Sequence, residues 1–142
     1  MAESEVPASP LAQALAVVGD RWTLLVVEAL LAGPLRFNDL VEQIPGIAAS
    51  ILSERLKRLE RDALVVARPY SERPPRSAYQ LTAAGTELAG ALRLLAGWAA
   101  RQADAPAAPR HSACGTPLQA RWYCPTCDHL ADHEPHADAV YL

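Results

Sequence analysis

From Leu11 to Ala63 the apolar residues recur at helical spacing, and from Leu64 onward the period changes to that of strands. Leu11, Leu15 and Val18 fall on one side of a short predicted helix over Leu11–Val18. Gly19-Asp20 interrupts it, and Asp20 is placed to N-cap a second helix running from Arg21 to about Leu31. Gly33-Pro34 stops that helix, and Leu35-Arg36-Phe37 reads as a short extended link. A third helix starts at Asn38 or its neighbour, with Leu40, Val41 and Ile44 apolar. Beyond the sharp turn Ile44-Pro45-Gly46 comes a fourth helix, Ala48–Asp62. Its Leu52, Leu56 and Leu59, with Ala63, fall at i, i+4, i+7 and i+11, one narrow stripe of a strongly amphipathic helix.

Leu64–Tyr70 is β-branched and aromatic enough for a strand. Ser71–Arg76 contains Pro74-Pro75, which removes ladder donors and predicts a loop, and Ser77–Leu81 reads as the returning strand. Thr82 is a good N-cap for a last helix extending to about Arg101. The apolar residues of that helix cover most of its circumference, which calls for partners on more than one side. A second copy of the chain is therefore expected to cover part of it. Helix, tight turn, helix and hairpin together predict a winged helix-turn-helix: a mainly α fold with a small β-hairpin, over residues 1–101. A Pro/Ala linker (102–110) and a small appendage (111–142) follow, and residues 1–9 are expected to be loose.

Composition sharpens this picture in two places. About half of the 142 residues are apolar (51%), enough for a real core. The net charge of −3 is unevenly spread: Ala48–Arg76 carries seven basic and four acidic residues, a local +3. A positive segment in a near-neutral chain points to phosphate contact, although a solvated charged face would look the same. Acids near the N-terminus argue against a secretory signal, and no apolar run reaches the ~18 residues of a membrane span, so a cytoplasmic protein without a membrane partner is expected.

The candidate metal chemistry lies in the appendage. His111-Ser-Ala-Cys114 and Cys124-Pro-Thr-Cys127 form H-x2-C and C-x2-C knuckles that contain all three cysteines. Two ligands three residues apart can converge on one ion, and Cys3His is an ordinary structural zinc set. One structural Zn2+ per chain, held by His111, Cys114, Cys124 and Cys127, is expected in a zinc-ribbon-like tail. His129 is the rival fourth ligand, with His133 and His136 remoter. Four protein ligands leave no open position for catalysis. A thiol switch that releases the metal on oxidation is the second possibility.

Five segments in order resemble the HxlR-type transcriptional regulators: Gly19-Asp-Arg-Trp-Thr-Leu-Leu, Gly33-Pro-Leu-Arg-Phe-Asn-Asp-Leu, Ile44-Pro-Gly-Ile, Leu52-Ser-Glu-Arg-Leu-Lys-Arg-Leu-Glu, and Pro74-Pro-Arg-Ser-Ala-Tyr-Gln-Leu-Thr-Ala-Ala-Gly. The resemblance runs from about Leu11 to Trp98. It implies a cytoplasmic, homodimeric, winged-helix regulator of bacterial genes, dimerising through the first helix and helix 82–101. Three positions depart from the family pattern. Ser9-Pro10 stands where members often carry a sensing Cys-Pro, Ala63 stands for a glycine before the first wing strand, and Ala48 for a serine cap. The cysteine-based sensing at that first position is thereby unavailable. Ala63 in a left-handed conformation costs on the order of 1 kcal/mol.

In such motifs the second helix meets base edges in the major groove of double-stranded DNA. With the leucines turned inward, Ser50, Ser53, Glu54, Lys57 and Arg61 face outward, flanked by Arg55 and Arg58. Ser50 and Ser53 suit short hydrogen bonds to bases or phosphates. Arg55, Lys57 and Arg58 suit phosphates, or for Arg55 a guanine edge. Arg58 could equally pair with Glu54 at i,i+4. Arg73 and Arg76 flank the proline tip of the wing, and Arg36 and Asn38 are weaker phosphate candidates, while Trp22 and Phe37 read as core.

A sequence-specific transcription regulator is the function these residues support. The alternatives are a MarR-like regulator and a winged-helix/zinc-ribbon protein-interaction module of the transcription machinery. An enzyme is not expected: no nucleophile–base pair, open metal or phosphate-cradling glycine loop is visible. A small-molecule effector is compatible with such a regulator, but no residue pattern assigns one.

Overall fold

A computed structural model describes residues 8–103 and 109–131. Residues 1–7 of the N-terminus expected to be loose over 1–9, most of the linker (104–108), and His133 and His136 lie outside them. The chain divides into two compact units, Met1–Leu92 and Arg93–Leu142.

The first unit begins with α1 (Pro10–Val18) and α2 (Arg21–Leu30). Ser9 Oγ accepts the Ala12 N–H at 3.1 Å, and Pro10 occupies the first helical turn, where a missing N–H costs nothing. Then come β1 (Leu35–Arg36), α3 (Phe37–Gln43), α4 (Ala49–Arg61), β2 (Val65–Glu72), β3 (Pro75–Leu81) and α5 (Ala83–Thr86). A longer helix, α6 (Ala89–Gln102), crosses the division between the units.

One apolar core serves the first unit. Val26, Val27 and Leu30 of α2, Leu40 of α3 and Leu52, Leu56 and Leu59 of α4 are buried together, with Ile44, Ile47 and Val65. Trp22 and Phe37 pack on its margin. Fully burying each leucine stabilises by roughly 1.5–3 kcal/mol. Ala63, expected on the same stripe, is instead exposed and lies beyond the helix end.

The wing differs from its sequence reading in two respects. Leu35-Arg36 is a strand and not merely a link: it pairs with β3 through Leu35↔Tyr79 and Arg36↔Ala78, giving the sheet order β1-β3-β2. The expected loop Ser71–Arg76 shrinks to a tip at Arg73-Pro74, because the ladder continues through Ser71↔Arg76 to Glu72↔Pro75. Proline is tolerated there for positional reasons. Pro75 is the first residue of its strand, and Pro69 lies in an edge strand with a register shift between Pro69 and Ser71.

The expected last helix is also broken. Leu88 N–H bonds the Gly85 carbonyl, three residues back instead of four, so α5 ends and α6 restarts at Ala89. Gly85 and Gly90 bracket the break, and glycine is a poor helix former. α6 buries none of its residues.

The described part of the tail consists of two small hairpins. One is closed by the Arg110↔Pro117 bridge, and the other joins β4 (Trp122–Cys124) to β5 (His129–Ala131).

Candidate nucleic-acid interface

α4 owes its outward face to the leucines that fix its inward one. Ser50, Glu54, Lys57 and Arg61 are exposed, while Ser53, Arg55 and Arg58 are half-buried. At its start, Ala48 gives no side-chain cap, so the N–H groups of the first turn remain open. At its end a Schellman motif closes the helix. Leu64 N–H donates to Leu59 O (2.9 Å) and Ala63 N–H to Glu60 O (3.1 Å), which puts Ala63 at φ 57°. Thr82 braces this turn, its hydroxyl donating to Ala63 O at 2.7 Å while accepting the Gly85 N–H at 3.2 Å.

The basic residues separate into those held by protein and those that are not. Arg55 Nε donates to Asp20 Oδ1 at 2.9 Å, and its Nη1 lies 3.1 Å from Glu54 Oε1. Its side chain is only 18% exposed. Arg58 Nη2 donates to the Ala16 carbonyl at 2.6 Å, with Nη1 3.9 Å from Asp20 Oδ2. Glu54 therefore pairs with Arg55 and not, as its spacing suggested, with Arg58.

Asp20 is the hub of this cluster. Its carboxylate accepts the backbone N–H groups of Trp22 (3.1 Å) and Thr23 (3.0 Å), as well as the Thr23 hydroxyl. Burial pushes its pKa up, but the Thr23 hydroxyl and N–H and the Arg55 guanidinium outweigh that and hold it at about 2. Sequence reading placed Asp20 as a helix cap only. Its link to Arg55 spans 35 residues, and no local signal marks it.

On the wing, Arg36 stacks over Tyr70 (5.2 Å to the ring centroid), and Arg68 Nε donates to Gln80 Oε1 at 3.1 Å. Arg68 was not among the residues singled out by sequence; its cross-strand partner Gln80 is what draws attention to it. Arg21 lies 4.3 Å over the Trp22 ring. The side chains of Lys57, Arg73 and Arg76 are exposed and make no hydrogen bond or ion pair among the described residues.

In the tail, each knuckle brings its own pair together. His111 Nδ1 lies 3.3 Å from Cys114 Sγ. Cys114 Sγ is 3.2 Å from the Thr116 hydroxyl, which, with the Thr116 N–H and His111, holds that thiol below its ordinary value. The Cys127 and Thr126 N–H groups do the same for Cys124. Among the described residues no three His, Cys, Asp or Glu side chains gather as one metal-holding group, so the two pairs stand as separate halves.

Residues 17–106 match the HxlR-like helix-turn-helix family. The HTH-type transcriptional regulator Rv3095 of Mycobacterium tuberculosis is 37% identical over 119 residues, spanning 81% of this chain and 75% of its own. The reduced form of the transcriptional regulator YodB from Bacillus subtilis is similar in structure, with a TM-score of 0.57 at 35% identity, covering 66% of this chain and 93% of that one. The redox regulator HypR in its reduced form gives a TM-score of 0.64 at 29% identity, covering 68% and 95%.

Proposed function

The chain belongs to the HxlR-like helix-turn-helix family and is a DNA-binding transcriptional regulator; we propose that it acts as a cytoplasmic homodimer that lays α4 in the major groove and the wing tip on the flanking backbone or minor groove. The observation that carries this reading is the sorting of its cations. Lys57, Arg73 and Arg76 project from α4 and the wing tip with no protein partner among the described residues, ready for phosphate. Ser50 and Ser53 stand in the first half of α4, where short hydroxyls reach base edges or phosphates. The uncapped first turn offers further N–H groups to a phosphate oxygen. Arg55 and Arg58 act in this reading by setting the angle of α4, with the donors not used by Asp20, Glu54 and Ala16 left for phosphate.

Two exposed apolar faces support the dimer. α1 is exposed everywhere but Val18, with Leu11 at 68% and Leu15 at 52%. α6 leaves Leu94, Leu95 and Trp98 at least half exposed. Apolar side chains in such numbers need a covering surface, and a second chain supplies one. The hairpins of residues 109–131 form a ribbon-like appendage. No single helix among the described residues is long and apolar enough to cross a membrane.

The test is a gel shift on the DNA upstream of the protein's own gene, at several salt concentrations, against a scrambled duplex. A complex that prefers the upstream DNA and weakens with salt supports the reading. Equal binding to both duplexes, or no shift at low salt, rejects it and favours the protein-interaction alternative.

A further inference from the structure

The hairpins of residues 109–131 have almost no interior. Of their described residues only Cys124 and Ala131 are partly covered, and Leu118, Trp122, Tyr123 and Leu130 are each about half exposed. An isolated two-stranded hairpin is marginal in water, and a unit this small holds its shape only with a staple. The chain nevertheless builds two tight tips, each with its ligand pair.

The two tips share one backbone design. In each, the residue directly after the second ligand is left-handed: Gly115 at φ 70° follows Cys114, and Asp128 at φ 54° follows Cys127. Backbone bonds close the first tip, with Gly115 N–H donating to His111 O (2.8 Å) and His111 N–H to Thr116 O (2.9 Å). In the second, the Tyr123 hydroxyl donates to Asp128 Oδ1, and Cys124 pairs with His129 at the end of the β4–β5 ladder. Asp is one of the few non-glycine residues that adopts this conformation readily, so both tips carry a residue suited to the tight turn.

We propose that the two tips are the halves of one structural zinc site, with His111 and Cys114 from the first hairpin and Cys124 and Cys127 from the second. Three thiolates and an imidazole form a soft, closed tetrahedral set that suits Zn2+ and leaves no position for substrate water. Binding draws the two hairpins together and replaces the missing core, so metal affinity and the order of the tail are one quantity. His129 faces Cys124 across the β4–β5 ladder and is the competing nitrogen donor.

The full chain, purified under reducing conditions, is assayed for metal content, stripped with a chelator, and titrated with Co2+. The expected result is about one zinc per chain, and Co2+ absorption with thiolate charge-transfer and tetrahedral d–d bands that saturates at about one equivalent. Cys114→Ser, Cys124→Ser and His111→Ala each lower Co2+ affinity by more than the ~10–100-fold that outer-shell changes cost, while His129→Ala keeps wild-type affinity. Chelation of the wild-type chain makes the tail protease-sensitive, and zinc restores it. A reduced chain without zinc that gives no thiolate band with Co2+ overturns the proposal. So does wild-type affinity in Cys114→Ser or Cys124→Ser. Loss in His129→Ala with retention in His111→Ala overturns the ligand set. DNA binding enters none of these readouts.

Discussion

Arg55 Nε lies 2.9 Å from Asp20 Oδ1, joining the outward-facing helix α4 to the N-terminus of α2. The same carboxylate caps α2, so one acidic side chain fixes both the start of a core helix and the roll of α4. Arg58 adds a second tie, from α4 to the last turn of α1 through Ala16 O. Movement of α1 would therefore be felt by α4.

Arg55→Ala is expected to destabilise the fold by about 1–3 kcal/mol, since it leaves a half-buried carboxylate short of a partner. A double-mutant cycle with Asp20→Asn, followed by urea unfolding, should return a coupling of at least ~0.5 kcal/mol. Additivity within error would mean that the pair contributes nothing.

The depressed Asp20 pKa makes the pair pH-dependent. A carboxylate held at about 2, against an ordinary 3.8, contributes stability that is present above pH ~4 and lost as pH falls toward 2. Partial exposure limits this to about 1–2 kcal/mol. Asn also caps helices well, so Asp20→Asn isolates the charge from the cap. Urea midpoints of wild type and variant should differ above pH 4 and converge toward pH 2; a constant gap would contradict the assignment.

Arg73→Ala and Arg76→Ala should each reduce the slope of log K against log salt by about one on any duplex, without altering the preference among sequences. Fluorescence anisotropy across a salt series reads this directly. An unchanged slope would place the wing tip away from the phosphates.

Gly85→Ala should destabilise by about 1–3 kcal/mol in thermal unfolding. A Cβ at this buried position would come within 2.2 Å of Leu64 O, so α5 must move off the start of the wing. Wild-type stability would show that α5 is free to shift.

Trp98→Asp and Leu11→Asp place charge on the two exposed apolar faces and should convert a dimer to monomer by light scattering, with helical content retained. A wild-type chain that is already monomeric at micromolar concentration would remove the dimer from the mechanism.

Much of the fold was legible in the chain because its signals are local. The leucine stripe at 52, 56 and 59, the Asp20 cap and the turn at Gly46 each act within a few residues, and each is where the periodicity placed it. Ala63 was misplaced by periodicity on the leucine stripe, and only the family resemblance marked it as the left-handed position it occupies. The wing tip was misjudged because proline's effect depends on where in the sheet it lies. At the first position of β3 and in an edge strand it blocks nothing, and only the sheet order reveals that.

The sequence by itself determined the order of the first four helices and the two wing strands, the inward and outward faces of α4, and the ligand-type residues of the tail. Tertiary structure alone decided which cations are free. Arg55 and Lys57 look alike along the chain, yet one is drawn to a carboxylate 35 residues away while the other points to solvent. Periodicity fixes the direction in which a side chain leaves its helix, but an ion pair depends on what folding brings to meet it.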